Sequence, residues 1–395
     1  MSPRSKREYM ETIWLRYKRA VKRAEKSTLI TELCVTCDWH RKHAIRALKN
    51  FKRFTKPKAK KRGKPSVYNI PSVIEPLKRI WLAAGQPCSK LLKATIRLWL
   101  PFYAQEFTGL PLNAVKALLK VSPASIDRAL KPTRVKYTKR GRSTTKPGTL
   151  LRKTIPIKTD QWNELRPGFL EADTVAHCGD TVAGMFVYTL NLVDIATGWT
   201  EQRAVWGKGE AGVLEQIKDV EAKLPFPLRG FDCDNGGEFI NHHLIRHFGN
   251  KVNPVQFTRS RSYRKDDNAH VEQKNWTHVR QWFGYHRLEN QRIVPLMNNL
   301  YTAEWRLFHN FFCPSVKLLE KKRVASKTIK RYDMPKTPYQ RVLESPDVPL
   351  AKKQALKEQF TGLNPFKLRN AIEKKLQEIF NIHFGRRNSY PGPLR

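Results

Sequence analysis

The sequence predicts an α/β domain built on a mixed five-stranded sheet, flanked by N-terminal helix-turn-helix units and a helical C-terminal region. Three observations carry that expectation. Segments rich in β-branched and aromatic residues gather after Pro167. They alternate with helical patterns in the order strand, strand, strand, helix, strand, helix, strand, helix. The sequence on either side is helical in pattern instead.

Residues 169–174, 185–193 and 200–205 read as the first three strands, with Asp194 to Gly198 as the turn between the second and third. A helix follows over 209–224, stopped by Pro225 and Pro227. Residues 228–234 form a fourth strand leading into a Gly-rich turn, 241–248 a short helix, and 255–258 a fifth strand. A polar loop then precedes a long helix over 268–287.

The N-terminal part reads as helices over 8–25, 28–36 and 39–51, the last two separated by a break at Cys37 and Asp38. Two short helices joined by a tight turn fit a helix-turn-helix unit, or an ordinary basic helical hairpin. Arg41, Lys42 and Arg46 lie on the second helix as candidate DNA contacts. Residues 49–64 carry nine Lys or Arg and no acid, among them Lys60, Lys61 and Arg62. Such a stretch suits a phosphate backbone. A second helix-turn-helix candidate closes the next helical block, where Ser122 is an N-cap and Pro123 takes the first helical position. The organisation expected is therefore 1–56 helical, 57–70 basic linker, 71–131 helical, 132–166 basic linker, 167–313 α/β domain and 314–395 helical.

Of the 395 residues, 40% are hydrophobic, enough for packed cores. Lys and Arg number 75 against 34 acids, a net charge of +41. A charge of that size calls for an anionic polymer as partner, and DNA is the leading candidate. A membrane surface fits poorly, because the cations are spread along the chain and no amphipathic helix gathers them. The start has no apolar core for a secretory signal and no run long enough to span a membrane, so a cytoplasmic, DNA-associated location is expected. The six cysteines are mostly far apart and make no disulfide framework.

In so basic a chain, acids at strand ends stand out. Asp173 lies in the first strand, Asp234 ends the fourth, and Glu272 lies in the first turns of the long helix. Cleavage of a phosphodiester commonly uses two divalent ions roughly 3.5–4 Å apart, held by carboxylates from separate elements. Glu171 shares a strand face with Asp173, and Asp232 does so with Asp234, so spacing alone leaves both choices open.

Three blocks of sequence carry a family resemblance, and that resemblance implies a choice between these alternatives. Asp173-Thr174 with His177 beyond, then Asp234-Asn235-Gly236-Gly237-Glu238-Phe239, then Asn268 with Glu272 four residues on, resemble the signature blocks of the retroviral integrase superfamily, most closely its bacterial insertion-sequence transposases. The resemblance covers roughly residues 165–312 and implies a ribonuclease H-like fold. It implies Asp173, Asp234 and Glu272 as catalytic residues and as ligands of two Mg²⁺ or Mn²⁺ ions. It also implies a DNA transposase working as a homo-oligomer on DNA. Between Asp234 and Glu272 lie 37 residues, two more than the commonest family spacing, and the extra pair fits in the polar loop. Where many relatives carry Lys or Arg seven residues after the Glu, this chain has Val279; Lys274 and Arg280 are the nearest cations.

Arg261, Arg264 and Lys265 in that loop, with Asn268 and Lys274, complete the expected DNA contacts. Trp276, Val279 and Phe283 should anchor the long helix on the sheet. His177 reads as a group at the rim of the site, or as a surface or turn histidine. Cys34, Cys37, His40 and His43 suggest zinc, but their order and tight spacing depart from known modules, and helical packing accounts for Cys34. No phosphate loop of the Walker type occurs. The alternative readings are a domesticated, catalytically silent DNA-binding regulator, and a nuclease that cuts without joining.

Overall fold

The computed structural model describes residues 1–51, 67–107, 109–135, 164–234, 236–260, 269–324 and 326–385, which fall into two units, Met1–Pro65 and Ser66–Arg395. The first unit holds α1 (Pro3–Arg19), α2 (Arg23–Cys37) and α3 (Arg41–Asn50). Ser2 caps α1 by accepting from Ser5 N, with Pro3 at the first helical position. Asp38 ends α2 in the left-handed conformation, φ 52°, and places the break between α2 and α3 where the sequence puts it. Ile13, Leu29, Ile30, Leu33, Cys37, Ala44 and Leu48 form this unit's core.

The second unit begins with α4 (Pro71–Ala83), α5 (Ser89–Glu106), α6 (Leu112–Lys120) and α7 (Pro123–Arg134). Ser122 accepts from Ser125 N at 3.2 Å, the N-cap read from the sequence. These helices share one core with the sheet that follows. Trp99 of α5 is fully buried, meets Phe308, Phe312 and Phe366 edge-on, and donates its indole N–H to Phe312 O at 2.9 Å. Most of the basic stretch 132–166 lies outside the described residues.

Strands β1 (Phe169–Ala176), β2 (Val187–Asp194), β3 (Thr200–Trp206), β4 (Gly230–Cys233) and β5 (Gln256–Arg259) form one sheet in the order β3-β2-β1-β4-β5. The first three pair antiparallel, and β1, β4 and β5 run parallel. This is the mixed α/β sheet of the ribonuclease H-like fold that the sequence predicts. Helix α8 (Glu210–Lys223) packs on β3, and α9 (His242–Gly249) on β5. The long helix starts as α10 (Ala269–Lys274), widens to a π-helical turn over Asn275–Arg280, and ends as α11 (Gln281–Phe283). It stops before Arg287 because Gly284 takes φ 67°.

Helices α12 (Ile293–Leu300) and α13 (Arg306–Phe312) cover the edge of β3. Two asparagine side chains close that edge as a neighbouring strand would. Asn298 accepts from Ala204 N at 2.6 Å and donates to Ala204 O at 2.9 Å. Asn310 does the same for Thr200, both at 2.8 Å. An open row of N–H and C=O groups, a template for unwanted pairing, is thereby satisfied.

The C-terminal region departs from the all-helical expectation. It opens with a hairpin, β6 (Leu318–Val324) and β7 (Lys327–Tyr332), before α14 (Pro338–Glu344), α15 (Leu350–Thr361) and α16 (Pro365–Phe384). The hairpin is exposed along nearly all its length, so its charges fall on both faces and leave no period-two pattern to read. Among the described residues no helix is long and apolar enough to cross a membrane.

Candidate active site

Register decides which acids meet. Ala172 of β1 pairs with Cys233 of β4, so the next residues come side by side, Asp173 still within β1 and Asp234 just past the end of β4. Their alternates are engaged elsewhere. Glu171 is buried and accepts from the backbone N–H groups of His270 and Val271, both at 3.1 Å, where it holds the start of α10. Asp232 is buried and accepts the Thr258 hydroxyl at 2.6 Å, tying β4 to β5.

Asp173 accepts the side-chain N–H of Asn275 at 2.6 Å and the backbone N–H of Thr174 at 2.7 Å. Burial first, and the neighbouring Asp234 carboxylate second, push its pKa up to about 7 against those two hydrogen bonds. Asp234 is raised as well, by burial and by Glu238, and is eased by Gly236 N–H and Lys208. Asp173 raised by Asp234, and Asp234 raised by Glu238, make a desolvated cluster with more negative charge than its surroundings balance.

Glu238 belongs to the same cluster. It is buried, accepts the Thr174 hydroxyl at 2.7 Å, and pairs with Lys208 at 2.7 Å. Burial would lower the Lys208 pKa, but the carboxylate of Glu238 outweighs it and the net shift is upward. The turn that brings Glu238 back needs a glycine at 236. A Cβ there would stand 2.6 Å from Glu238 Oε2 and 2.9 Å from Asp234 Oδ1.

Glu272 is placed differently. It is exposed in the first turn of α10, and the group from that helix that reaches Asp173 is Asn275. Among the described residues, no three His, Cys, Asp or Glu side chains stand together as a metal site. The structure gathers Asp173 and Asp234, with Glu238 and Lys208 beside them. Sequence reasoning did not single out Glu238, Lys208 or Asn275. Glu238 lies within the quoted Asp-Asn-Gly block, and Asn275 lies three residues after Glu272, spacings that could have flagged both.

Other expected positions differ. His177 is neither at a rim nor in a turn: it is buried, bonds Thr189 Oγ1 at 2.9 Å, and burial holds its pKa well below the usual value. Trp276 is 42% exposed and does not anchor the helix, whereas Val279 and Phe283 are buried. Lys274 turns from the acidic pair into a cavity on another side of the helix, where burial lowers its pKa to about 8. Arg280 donates to Ala176 O at 2.7 Å.

In the first unit Arg41, Lys42 and Arg46 are exposed on α3, and Arg41 also bonds Ser27 and Thr31. Cys37 is in the core, His40 caps α3 by accepting from Lys42 N at 3.3 Å, and His43 packs edge-on against Trp39. Lys60, Lys61, Arg62, Arg261, Arg264, Lys265 and Asn268 lie outside the described residues.

No protein-family model matches the chain. A curated protein of Sinorhizobium fredii (strain NBRC 101917 / NGR234), "Uncharacterized protein y4rM", is 36% identical over 345 residues, covering 86% of this chain and 96% of that one. Among solved structures, the catalytic core domain of BIV integrase is similar with TM-score 0.29 and 12% identity, over 49% of this chain and 98% of that chain. A chain of the simian T-cell lymphotropic virus intasome in complex with PP2A regulatory subunit B56 gamma is similar with TM-score 0.32 and 14% identity, over 63% and 76%.

Proposed function

The chain belongs to the family of the Sinorhizobium fredii protein y4rM, and we propose that it is a DNA transposase that hydrolyses phosphodiesters at the ends of a DNA element and transfers those ends into target DNA. The observation that carries this reading is the approach of Asp173, within β1, to Asp234, the residue that follows β4.

The donor set fits a divalent cation. Asp173 and Asp234 offer hard carboxylate oxygens, and the upward shift of both, in a desolvated cluster with Glu238, is the imbalance that a cation would relieve. These two residues would hold Mg²⁺ or Mn²⁺, two ions in the full reading, with Glu272 completing the set from the same helix as Asn275. Bound there, such ions supply Lewis acidity to the phosphate and lower the pKa of attacking water.

The chain's own groups do the rest. Asn275 and Thr174 N–H fix the Asp173 carboxylate, and Gly236 N–H fixes Asp234 at 2.9 Å. Lys208 pairs with Glu238, whose carboxylate also accepts the Thr174 hydroxyl. The exposed cations of α3, within a chain of net charge +41, favour a phosphate backbone as partner. Joining two element ends in one event calls for more than one copy of the chain, so a homo-oligomer on DNA is part of the proposal.

A strand-transfer assay with pre-cleaved ends and supercoiled target tests the reading. Joined products that require Mg²⁺ or Mn²⁺ and disappear in Asp173→Asn and Asp234→Asn support it. Cutting without joining would assign a nuclease, and specific DNA binding without either reaction a regulator.

A further inference from the structure

We propose that a cavity lined by α10, α11 and the turn between α4 and α5 is a nucleotide-binding site, taking one unstacked base together with its phosphate. The cavity holds about 500 Å³, within the range of small-molecule sites. Its lining runs from Gly85, Gln86 and Cys88 to Lys274, Trp276 and His278 on the helix, and to His309 and Cys313 at the end of α13, with no Asp or Glu.

Three features set the ligand's chemistry. Lys274 makes no hydrogen bond or ion pair with any described residue, so a half-buried cation faces a cavity without a carboxylate. A phosphate oxygen answers that charge. His278 and His309 stack at 3.9 Å, each 4% exposed, and His278 Nε2 and both ring nitrogens of His309 have no partner among the described residues. Burial holds both imidazoles well below their usual pKa. Both rings are therefore neutral, and with His278 Nδ1 bonded to Thr277 Oγ1 at 2.8 Å the stacked pair gives the cavity a flat, uncharged wall of the kind that suits a base.

The third feature is aromatic. Trp276 and Tyr285 line the cavity while 42% and 38% exposed, and Trp282 adds a buried wall backed by Arg369 at 4.2 Å. Exposed aromatic faces beside a cation stack bases with little regard to sequence. A simple anion would use Lys274 and leave the rings and imidazoles unemployed. The π-helical turn over Asn275–Arg280 lets one helix serve both places: Asn275 faces Asp173, while Lys274, Trp276 and His278 face the cavity.

The nucleotide has two possible sources, a free nucleotide or the unpaired end of a DNA strand, and only the second rests on the transposase reading. Binding to the full-length protein is measured with three probes: inorganic phosphate, deoxyadenosine monophosphate, and duplex DNA with or without a single-stranded 3′ overhang. Deoxyadenosine monophosphate should bind about tenfold more tightly than phosphate, and Trp276→Ala should weaken it about tenfold. Lys274→Met should weaken it while Lys274→Arg retains it, with thermal melting confirming that each variant is folded. A gain from the overhang that Trp276→Ala removes identifies a strand end as the occupant; nucleotide binding with no gain identifies a free nucleotide.

Equal binding of phosphate and nucleotide, or nucleotide binding that survives in folded Lys274→Met, overturns the proposal. Asp173→Asn keeps the two readings apart, because it should abolish cleavage and leave nucleotide binding intact. A wild-type protein that cleaves and joins DNA yet binds neither nucleotide nor overhang in a Trp276-dependent way refutes the cavity site alone. One that binds nucleotide but never cuts refutes the transposase reading alone.

Discussion

Asn275 donates its side-chain N–H to Asp173 at 2.6 Å while its own amide oxygen accepts from Asn191 at 2.8 Å, and Asn191 in turn accepts from Gln202 at 2.7 Å. Three amides thus run from β3 through β2 to the acidic pair and fix the Asp173 carboxylate from one side. Asn275 is a positioning residue in this scheme. Asn275→Ala should lower the rate of DNA strand cleavage by about 10–100-fold, the usual cost of losing a group that orients a metal ligand. It should also move the acid limb of the pH–rate profile to higher pH, because the lost hydrogen bond favours ionised Asp173. A slower enzyme with an unmoved profile would assign Asn275 to packing alone.

The same pair carries a stability cost. Asp173 is held up at about 7 against an ordinary 3.8, so its ionised form disfavours the folded state. The cost is absent below the unfolded pKa, grows as pH rises through the interval, and is complete above about 7. Without divalent cations, Asp173→Asn should therefore melt above the wild type at pH 8, with the gap closing as pH falls toward 4. Adding Mn²⁺ should raise the melting temperature of the wild type and leave the variant unmoved. Equal melting of the two at pH 8 would show that the pair is balanced in some other way.

Much of the sheet was legible because its strands are dense in Val, Leu, Thr and Phe, and Gly and Pro punctuate them. The choice of Asp173 over Glu171 was not, since both lie on one strand face. What separates them is a tertiary partner, the N–H groups of His270 and Val271 on a helix a hundred residues away. Trp276 was misplaced because a regular helix was assumed. The wider π turn shifts the phase, turning Trp276 outward and His278 with Val279 inward. Charge alone marked Lys274 as a cation for DNA but said nothing of the cavity it enters, which Gly85 to Cys88, far earlier in the chain, help to line.

A buried ion network on β3 gives a further test. Glu201 is 1% exposed and accepts from Trp199 Nε1 at 2.9 Å, Arg306 Nε at 2.5 Å and Arg203 Nη1 at 3.3 Å; Arg203 is fully buried and also meets Asp219 at 2.7 Å. Removing one member leaves its partners desolvated with less compensation. Glu201→Ala should cost about 3–5 kcal/mol in chemical denaturation, and Glu201→Leu with Arg203→Met together far less, because the apolar pair leaves fewer buried charges unmet. Additive losses would show that the ion pair itself, and not the stranded charge, sets the cost.

The stacked imidazoles of His278 and His309 set an acid limit on the fold. Burial is the first cause that holds both well below the ordinary 6.5, and each is further lowered by Lys274. The cations that act on them are Lys274, on both, and Arg369, on His309; Arg341 acts in turn on Lys274, and Arg341 and Arg369 are themselves paired with Asp333 and Glu373. A depressed folded pKa means that the unfolded chain takes up protons first. The stabilisation is full above 6.5 and declines as pH falls below it. Buried Asp194, held up at about 6, works the other way between 3.8 and 6, so the wild-type curve alone mixes the two. The difference between wild type and His309→Leu isolates the histidine. It should be flat above pH 7 and then fall against the wild type by about 1.4 kcal/mol per pH unit below 6.5. A difference curve that stays flat down to pH 5 would mean that His309 is protonated in the folded protein, and that the cavity beside Lys274 accommodates a second charge.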